Sequence, residues 1–370
     1  IKNHKMNIEL IDLKKRFQEE RVEIMHCIEN VLKEGSLVLT KEVNNFEMSI
    51  CEYTGSKYCL GLNSGTDALM MALWSNNIGK GDEVITSPVS FIASIGAIVH
   101  VGAKPVFIDI KDDLNFDEDL IESAITSKTK AIMPVHWTGR ICNMKKIISI
   151  ANKHNLIVIE DAAQAMGSYH HGKHGGRFGH ISAFSAHPLK NLNALGDSGF
   201  IITDDIESYN KIKLYRNHGL ESRDNVKIFG VNSRLDSLNA EILSYRLKKL
   251  SSIIKRRRNN IEFYNQYLNT DKIKMPFDND YEKNSYVMFI CLCEDRDNLQ
   301  KYLNENNIQS LVYYGKPLHL HEASKKLGYI KGSFPNAEDK CNKVLALPHH
   351  QHLKEEEIKY VCDKINLFYK

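Results

Sequence analysis

The chain has 370 residues, 42% of them hydrophobic, and its 49 Lys and Arg against 46 Asp and Glu leave a net charge of +3. That length gives room for two domains and a large buried core, and so small a charge excess argues against nucleic acid as a partner. Eight scattered cysteines without Cys-x-x-Cys spacing read as reduced thiols, no signal-peptide pattern opens the chain, and the longest apolar runs fall short of the roughly 20 residues a membrane span needs, so a cytoplasmic protein with no membrane partner is expected.

Residues 1–5 read as an irregular arm before Met6. Helical spacing then runs from Leu13 to Leu32, with Phe17, Val22, Met25, Ile28, Val31 and Leu32 as its apolar positions, and stops at Gly35. Thr40 is placed as the cap of a second helix with Val43, Phe46 and Ile50 on one side. From Tyr58 short apolar strands alternate with helices: Cys59–Leu62, a helix from Gly65, Glu83–Thr86, a helix from Ile92, Pro105–Asp109, a helix from Asp117, Ala131–Val135, a helix from Met144, and Leu156–Ile159. Strands Ile181–Phe184 and Gly199–Thr203 follow. The alternation predicts an α/β fold with a parallel sheet covered by helices on both faces. After a helix around Tyr209–Tyr215, a long charged helix from about Leu238 to Leu268 suits a connector between domains, and the run Lys255-Arg-Arg-Arg258 on it reads as a solvated face. The C-terminal remainder offers strands at Tyr286–Leu292 and Gln309–Tyr313 and helices at Arg296–Asn306 and Glu355–Phe368.

Open sheets of this kind gather ligands at the carboxyl ends of their strands, and the residues with chemistry to offer collect there. Asn63-Ser-Gly-Thr-Asp-Ala68 opens a helix and offers a hydroxyl and free backbone N–H groups to a phosphate. Ser87-Pro-Val-Ser-Phe-Ile-Ala-Ser94 places Phe91 where its face can stack on a ring. Val158-Ile-Glu-Asp-Ala-Ala-Gln-Ala-Met-Gly167 ends a strand on Asp161 and Gln164, and Ser185-Ala-His-Pro-Leu-Lys-Asn-Leu-Asn-Ala-Leu-Gly-Asp-Ser-Gly199 sets Lys190 in a turn between two strand-like runs. An amine aimed by a turn, with a carboxylate to hold a proton on a ring nitrogen, is what pyridoxal phosphate chemistry needs. Taken singly, Lys190 reads as a solvated loop lysine and Asp161 as a helix cap; the four elements together favour the site.

These segments, with Glu42-Val-Asn-Asn-Phe-Glu47, Gly79-Lys-Gly-Asp-Glu-Val84, Pro134-Val-His136, Arg216-Asn-His-Gly219, Asn232-Ser-Arg-Leu235 and Lys316-Pro-Leu-His319, resemble the DegT/DnrJ/StrS sugar aminotransferases across nearly the whole chain. The resemblance implies a pyridoxal phosphate-dependent transferase of fold type I. Its large cofactor-binding domain, with a mostly parallel sheet, would span residues 1–245, and a connector helix with a smaller α/β domain would span 246–370. It further implies that Lys190 tethers the cofactor and acts as acid–base catalyst, that Asp161 holds the ring nitrogen's proton, and that Gln164 sits near the ring hydroxyl. Gly65, Thr66, the Asp67 backbone and Ser185 would hold the phosphate, Phe91 would stack on the ring, and Asn232 would complete the phosphate site of a neighbouring subunit in a homodimer. Tyr314, His319 and His187 are the candidate substrate contacts. The histidines near 170 and 350 lack acidic ligands at a characteristic interval, so no metal is expected.

The function implied is transfer of an amino group, from L-glutamate, to a keto-sugar, nucleotide-linked and ketonic at C3 rather than C4, for a surface polysaccharide such as lipopolysaccharide O-antigen. The segment Trp137-Thr-Gly-Arg140 departs from the family pattern and keeps open a non-nucleotide acceptor such as the C8 aldehyde of an oxidised octulosonate. A dehydratase would carry histidine in the place of Lys190, and a non-catalytic regulatory relative would have no need of both Lys190 and Asp161. No Gly-x-Gly-x-x-Gly follows an early strand, which argues against a dinucleotide-binding protein.

Overall fold

Asp12 caps the first helix, α1 (Leu13–Glu34), its carboxylate accepting from Lys15 N at 2.7 Å, and Gly35 ends it at φ 70° in the left-handed region that glycine tolerates. The computed structural model describes residues 6–370, so the arm expected at residues 1–5 lies outside the described residues. After α2 (Lys41–Thr54), strands and helices alternate: β1 (Tyr58–Leu62), α3 (Gly65–Ser75), β2 (Glu83–Thr86), α4 (Ile92–His100), β3 (Lys104–Phe107), the short α5 (Ile121–Ala124), β4 (Thr129–Ile132), α6 (Met144–His154) and β5 (Ile157–Asp161). A small ribbon, β6 (Tyr169–His170) and β7 (Lys173–His174), precedes β8 (Ile181–Ser185), β9 (Gly199–Thr203) and α7 (Ile206–Tyr215).

Seven of these strands form one sheet in the order β1-β9-β8-β5-β4-β2-β3. All run parallel except β9, which is antiparallel to both its neighbours. Helices cover both faces, so the strands are buried on both sides and read as continuous apolar runs. Along β9, Phe200 and Ile202 pack with Phe46 of α2, whereas Ile201 packs with Leu69 of α3 and Ile212 of α7.

A hairpin, β10 (Leu220–Ser222) and β11 (Asn225–Val226), leads to α8 (Ser237–Tyr267). This helix places Leu243 in the core of the large sheet and Ile261 and Tyr264 in a second core. The second core lies under a three-stranded antiparallel sheet in which β14 (Phe289–Cys293) sits between β12 (Ile273–Lys274) and β15 (Val344–Leu347). Helices α9 (Arg296–Glu305) and α11 (Glu355–Phe368) cover it through Leu299, Leu303, Ile358 and Val361, while α10 (Pro335–Lys343) leads into β15. Strand β13 (Glu282–Lys283) joins the β6–β7 ribbon, and Ile8 is buried in the second core beside Ile308.

Several expectations are corrected. Helix α1 turns Ile24, Cys27 and Val31 inward together with Arg16 and Glu20, and leaves Phe17, Val22, Met25 and Leu32 exposed, because Glu20 accepts from both Arg16 and Arg246 of α8. Thr40 stands at the N-cap of α2 without bonding its N–H groups, since its hydroxyl instead meets Ser237 Oγ at 2.7 Å. The helix expected from Asp117 shrinks to a 3-10 turn and the four residues of α5. Gln309–Tyr313 is no strand: Gln309 N bonds Ile8 O while Leu311 bridges Ala346, so the segment changes partner within two residues. Among the described residues no helix is long and apolar enough to cross a membrane.

Candidate active site

The turn from β1 into α3 is built for close approach. Ser64 caps α3 by accepting from Asp67 N at 3.0 Å, which leaves the first-turn N–H groups of Gly65 and Thr66 without intrahelical partners. A Cβ on Gly65 would lie 2.7 Å from Ser185 Cβ, and one on Gly199 would lie 2.4 Å from the Ser64 carbonyl carbon. Only glycine at both positions lets the ends of β1, β8 and β9 meet at this helix start.

Alternation at the end of β5 sends two successive acids in opposite directions. Glu160 is fully buried and accepts from His136 Nε2 at 2.9 Å and from the N–H groups of Gly176, Phe178 and Gly179, a donor set that offsets the loss of water. Cys142 N–H donates to His136 Nδ1, which leaves the ring proton on Nε2, facing Glu160. Asp161, 5% exposed, turns to the other side and accepts from Ser94 Oγ at 2.6 Å and from Ala163 N at 3.2 Å. Burial pushes its carboxyl up, and Ser94, Ala163 N–H and the Lys190 charge act against that rise.

Lys190 sits in a tightly bonded turn. Its N–H donates to His187 O, Asn193 Nδ2 bonds Pro188 O, and Asn191 Nδ2 reaches Ser285 O at 3.0 Å in the C-terminal part of the chain. Arg246 Nη1 donates to Asn193 O at 2.6 Å while its Nη2 donates to Glu20 Oε2 at 2.8 Å, so α1 and α8 brace the same turn. The side chain is half-buried, and removal from water, opposed by attraction to Asp161, lowers its amine to about 8.

A cavity of about 360 Å³ joins these groups. Of the residues singled out in the sequence, Gly65, Thr66, Phe91, Asp161, Gln164, Ser185, His187, Lys190 and Tyr314 line it. Three do not. Asp67 has its N–H on Ser64 and its carboxylate on Ser233 Oγ at 2.6 Å, so the Asp67 backbone contact expected for a phosphate is already taken. Asn232 is exposed on the loop after β11, bridged to Asn217, and outside the cavity of its own chain. His319 is buried against Phe334 and bonded to Glu338 at 3.0 Å, which turns it away from the expected sugar contact. Ser90, Ser94, His136, Asp197 and Tyr313 line the cavity without having been foreseen. Ser94 stands three residues after Phe91, one helical turn on, but nothing in the sequence pairs it with an acid 67 positions away.

The cavity fits pyridoxal phosphate. Unpaired N–H groups at the α3 start suit an anion, Gln164 Oε1 is buried with no hydrogen-bond partner, and a carboxylate and an amine face one space. Among the described residues no group of three His, Cys, Asp or Glu is arranged to hold a metal ion; His349 bonds the Tyr286 carbonyl and His352 bonds Glu19.

Comparison with known proteins gives the same picture. The model of the DegT/DnrJ/EryC1/StrS aminotransferase family matches residues 18–366. A pleiotropic regulatory protein of Geobacillus stearothermophilus is 38% identical, with 99% of each chain covered. The dTDP-3-amino-3,6-dideoxy-alpha-D-galactopyranose transaminase of Aneurinibacillus thermoaerophilus is also 38% identical, covering 98% of this chain and 99% of its own. The crystal structure of S. venezuelae DesV superposes with a TM-score of 0.95 at 34% identity, covering 98% of this chain and 99% of its own. The chain belongs to the DegT/DnrJ/EryC1/StrS aminotransferase family and is a pyridoxal phosphate-dependent aminotransferase of fold type I.

Proposed function

We propose that this protein moves an amino group from L-glutamate onto the C3 carbonyl of a nucleotide-linked keto-sugar, in a homodimer, for the synthesis of a surface polysaccharide such as lipopolysaccharide O-antigen. The observation that carries this reading is the convergence of Lys190 and Asp161 on one cavity that also holds an open helix N-terminus. The 3-amino sugar in the name of the Aneurinibacillus transaminase supports C3. Pyridoxal phosphate, when bound, supplies the aldehyde that carries the amino group and a ring that accepts electrons. Lys190 would hold the cofactor covalently and would be the acid–base group that moves a proton between the donor's α-carbon and the cofactor's C4′. An amine that loses its proton near pH 8 suits both tasks. Asp161 would hold the proton on the ring nitrogen, Gln164 Oε1, which has no partner in the chain, would take the ring hydroxyl, and Phe91 would stack on the ring. Gly65 and Thr66 N–H and Ser185 orient the phosphate, and Asn232 completes that site in the partner subunit. Tyr314 and His187, on the cavity wall, contact the substrate.

One observation favours a second reading: the similarity to a protein named as a pleiotropic regulator. A single experiment separates the two. L-Glutamate added to the loaded enzyme is expected to convert the absorbance of the aldehyde form to that of the aminated form, and a 3-keto nucleotide sugar to reverse it. No spectral response to any amino donor would support the regulatory role.

A further inference from the structure

Ser94 could satisfy its hydroxyl within its own helix, on the carbonyl one turn back, as helical serines often do. It bonds instead to Asp161 Oδ2 at 2.6 Å, and Ser90 Oγ stands 2.6 Å behind it. All three residues are buried, at 4% exposure or less for the serines. An ionised carboxylate only accepts, so the single Ser94 proton is committed to Asp161, and Ser94 Oγ must in turn accept from Ser90. The chain therefore runs one way, Ser90 to Ser94 to Asp161. It starts from the same helix entry as Phe91, the N-cap residue of α4, so one short segment holds both the aromatic wall and the acid.

We propose that Ser94, backed by Ser90, is a positioning residue for the amino transfer, fixing the Asp161 carboxylate as an ionised, oriented acceptor at the cavity. This rests on the reading of Asp161 given above. The groups facing Asp161 come from four other elements: Ser94 on α4, Lys190 in its turn, His136 after β4 and Tyr314 from the C-terminal part, with Ala163 N–H from its own loop. Of these groups, the Ser94 hydroxyl and Ala163 N–H are the ones that hydrogen-bond the Asp161 carboxylate directly, in a buried place where desolvation favours the neutral acid.

The test begins with the apoprotein. The Asp161 carboxyl is followed by ¹³C NMR against pH, assigned by its disappearance in Asp161→Asn, in the wild type, Ser94→Ala, Ser94→Thr and Ser90→Ala. The midpoint is expected to rise by about one unit in Ser94→Ala, less in Ser90→Ala, and to stay at the wild-type value in Ser94→Thr, which keeps the hydroxyl. In the loaded enzyme Ser94→Ala is expected to lower kcat about tenfold with KM for the amino donor unchanged, moving the acid limb of the pH profile upward, and Ser94→Thr to restore both. Should Ser94→Ala not fold, Ser94→Cys, a weaker donor of similar size, takes its place under the same criteria. An Asp161 titration identical in wild type and the donor-deficient variant overturns the proposal. A wild type that transfers no amino group overturns the functional reading instead, and the apoprotein titration still decides the role of Ser94.

Discussion

Lys190 and Asp161 set each other's charge. Burial lowers the Lys190 amine to about 8 from an ordinary 10.5, and attraction to Asp161 is what keeps it from falling further. The neutral amine is the nucleophile, so the rate at which apoprotein captures pyridoxal phosphate is expected to climb with pH through about 8 and level off above it. Linkage gives a matching sign in stability: between about 8 and 10.5 the unfolded chain binds the proton that the folded chain has lost, so folding gains stability as pH rises through that window. Asp161→Asn removes the attraction, and the capture profile is expected to move to lower pH while turnover falls about 100-fold or more. A capture profile that stays at the wild-type position in this variant would contradict the electrostatic coupling.

At the scale of elements, the turn that carries Lys190 is held by helices far away in sequence. Arg246 of α8 links Glu20 of α1 to the Asn193 carbonyl, with both charged side chains almost fully buried. Arg246→Met leaves Glu20 to Arg16 alone and frees a buried carbonyl, a loss expected to cost about 3 kcal/mol in denaturant unfolding; an unchanged midpoint would count against the brace. This network also shows where sequence reading stops. Strand β2 and helix α11 could be placed to the residue because β2 is a short run buried throughout and the helical spacing of α11 coincides with burial. The inward face of α1 could not be, because two of its buried residues, Arg16 and Glu20, are charged and bond each other, and Glu20 also accepts from an arginine 226 positions away. The site divides in the same way. Lys190, Asp161, Gln164 and Phe91 lie in local motifs at strand ends, whereas Ser94 and Tyr313 acquire meaning only when α4 and the C-terminal part close on β5. The motif of His319 is local, but its partner Glu338 is not, and the side chain lies outside the cavity lining.

For the whole molecule the proposed dimer makes each site depend on two chains. Asn232 and Phe229, the latter 99% exposed, lie on one projecting loop outside the cavity of their own chain. Lys190→Ala and Asn232→Ala are each expected to be inactive alone. Unfolded, mixed in equal amounts and refolded together, they should recover about a quarter of the wild-type activity, since half the dimers are mixed and one site in each is intact. No recovery would show that Asn232 serves its own chain or none. The most direct test of the whole account is chemical. Holoenzyme is reduced with borohydride, digested and mapped by mass spectrometry for the pyridoxyl group. The account predicts the label on Lys190, with none retained in Lys190→Ala; a label on another lysine, or no stable label on the wild type, would contradict it.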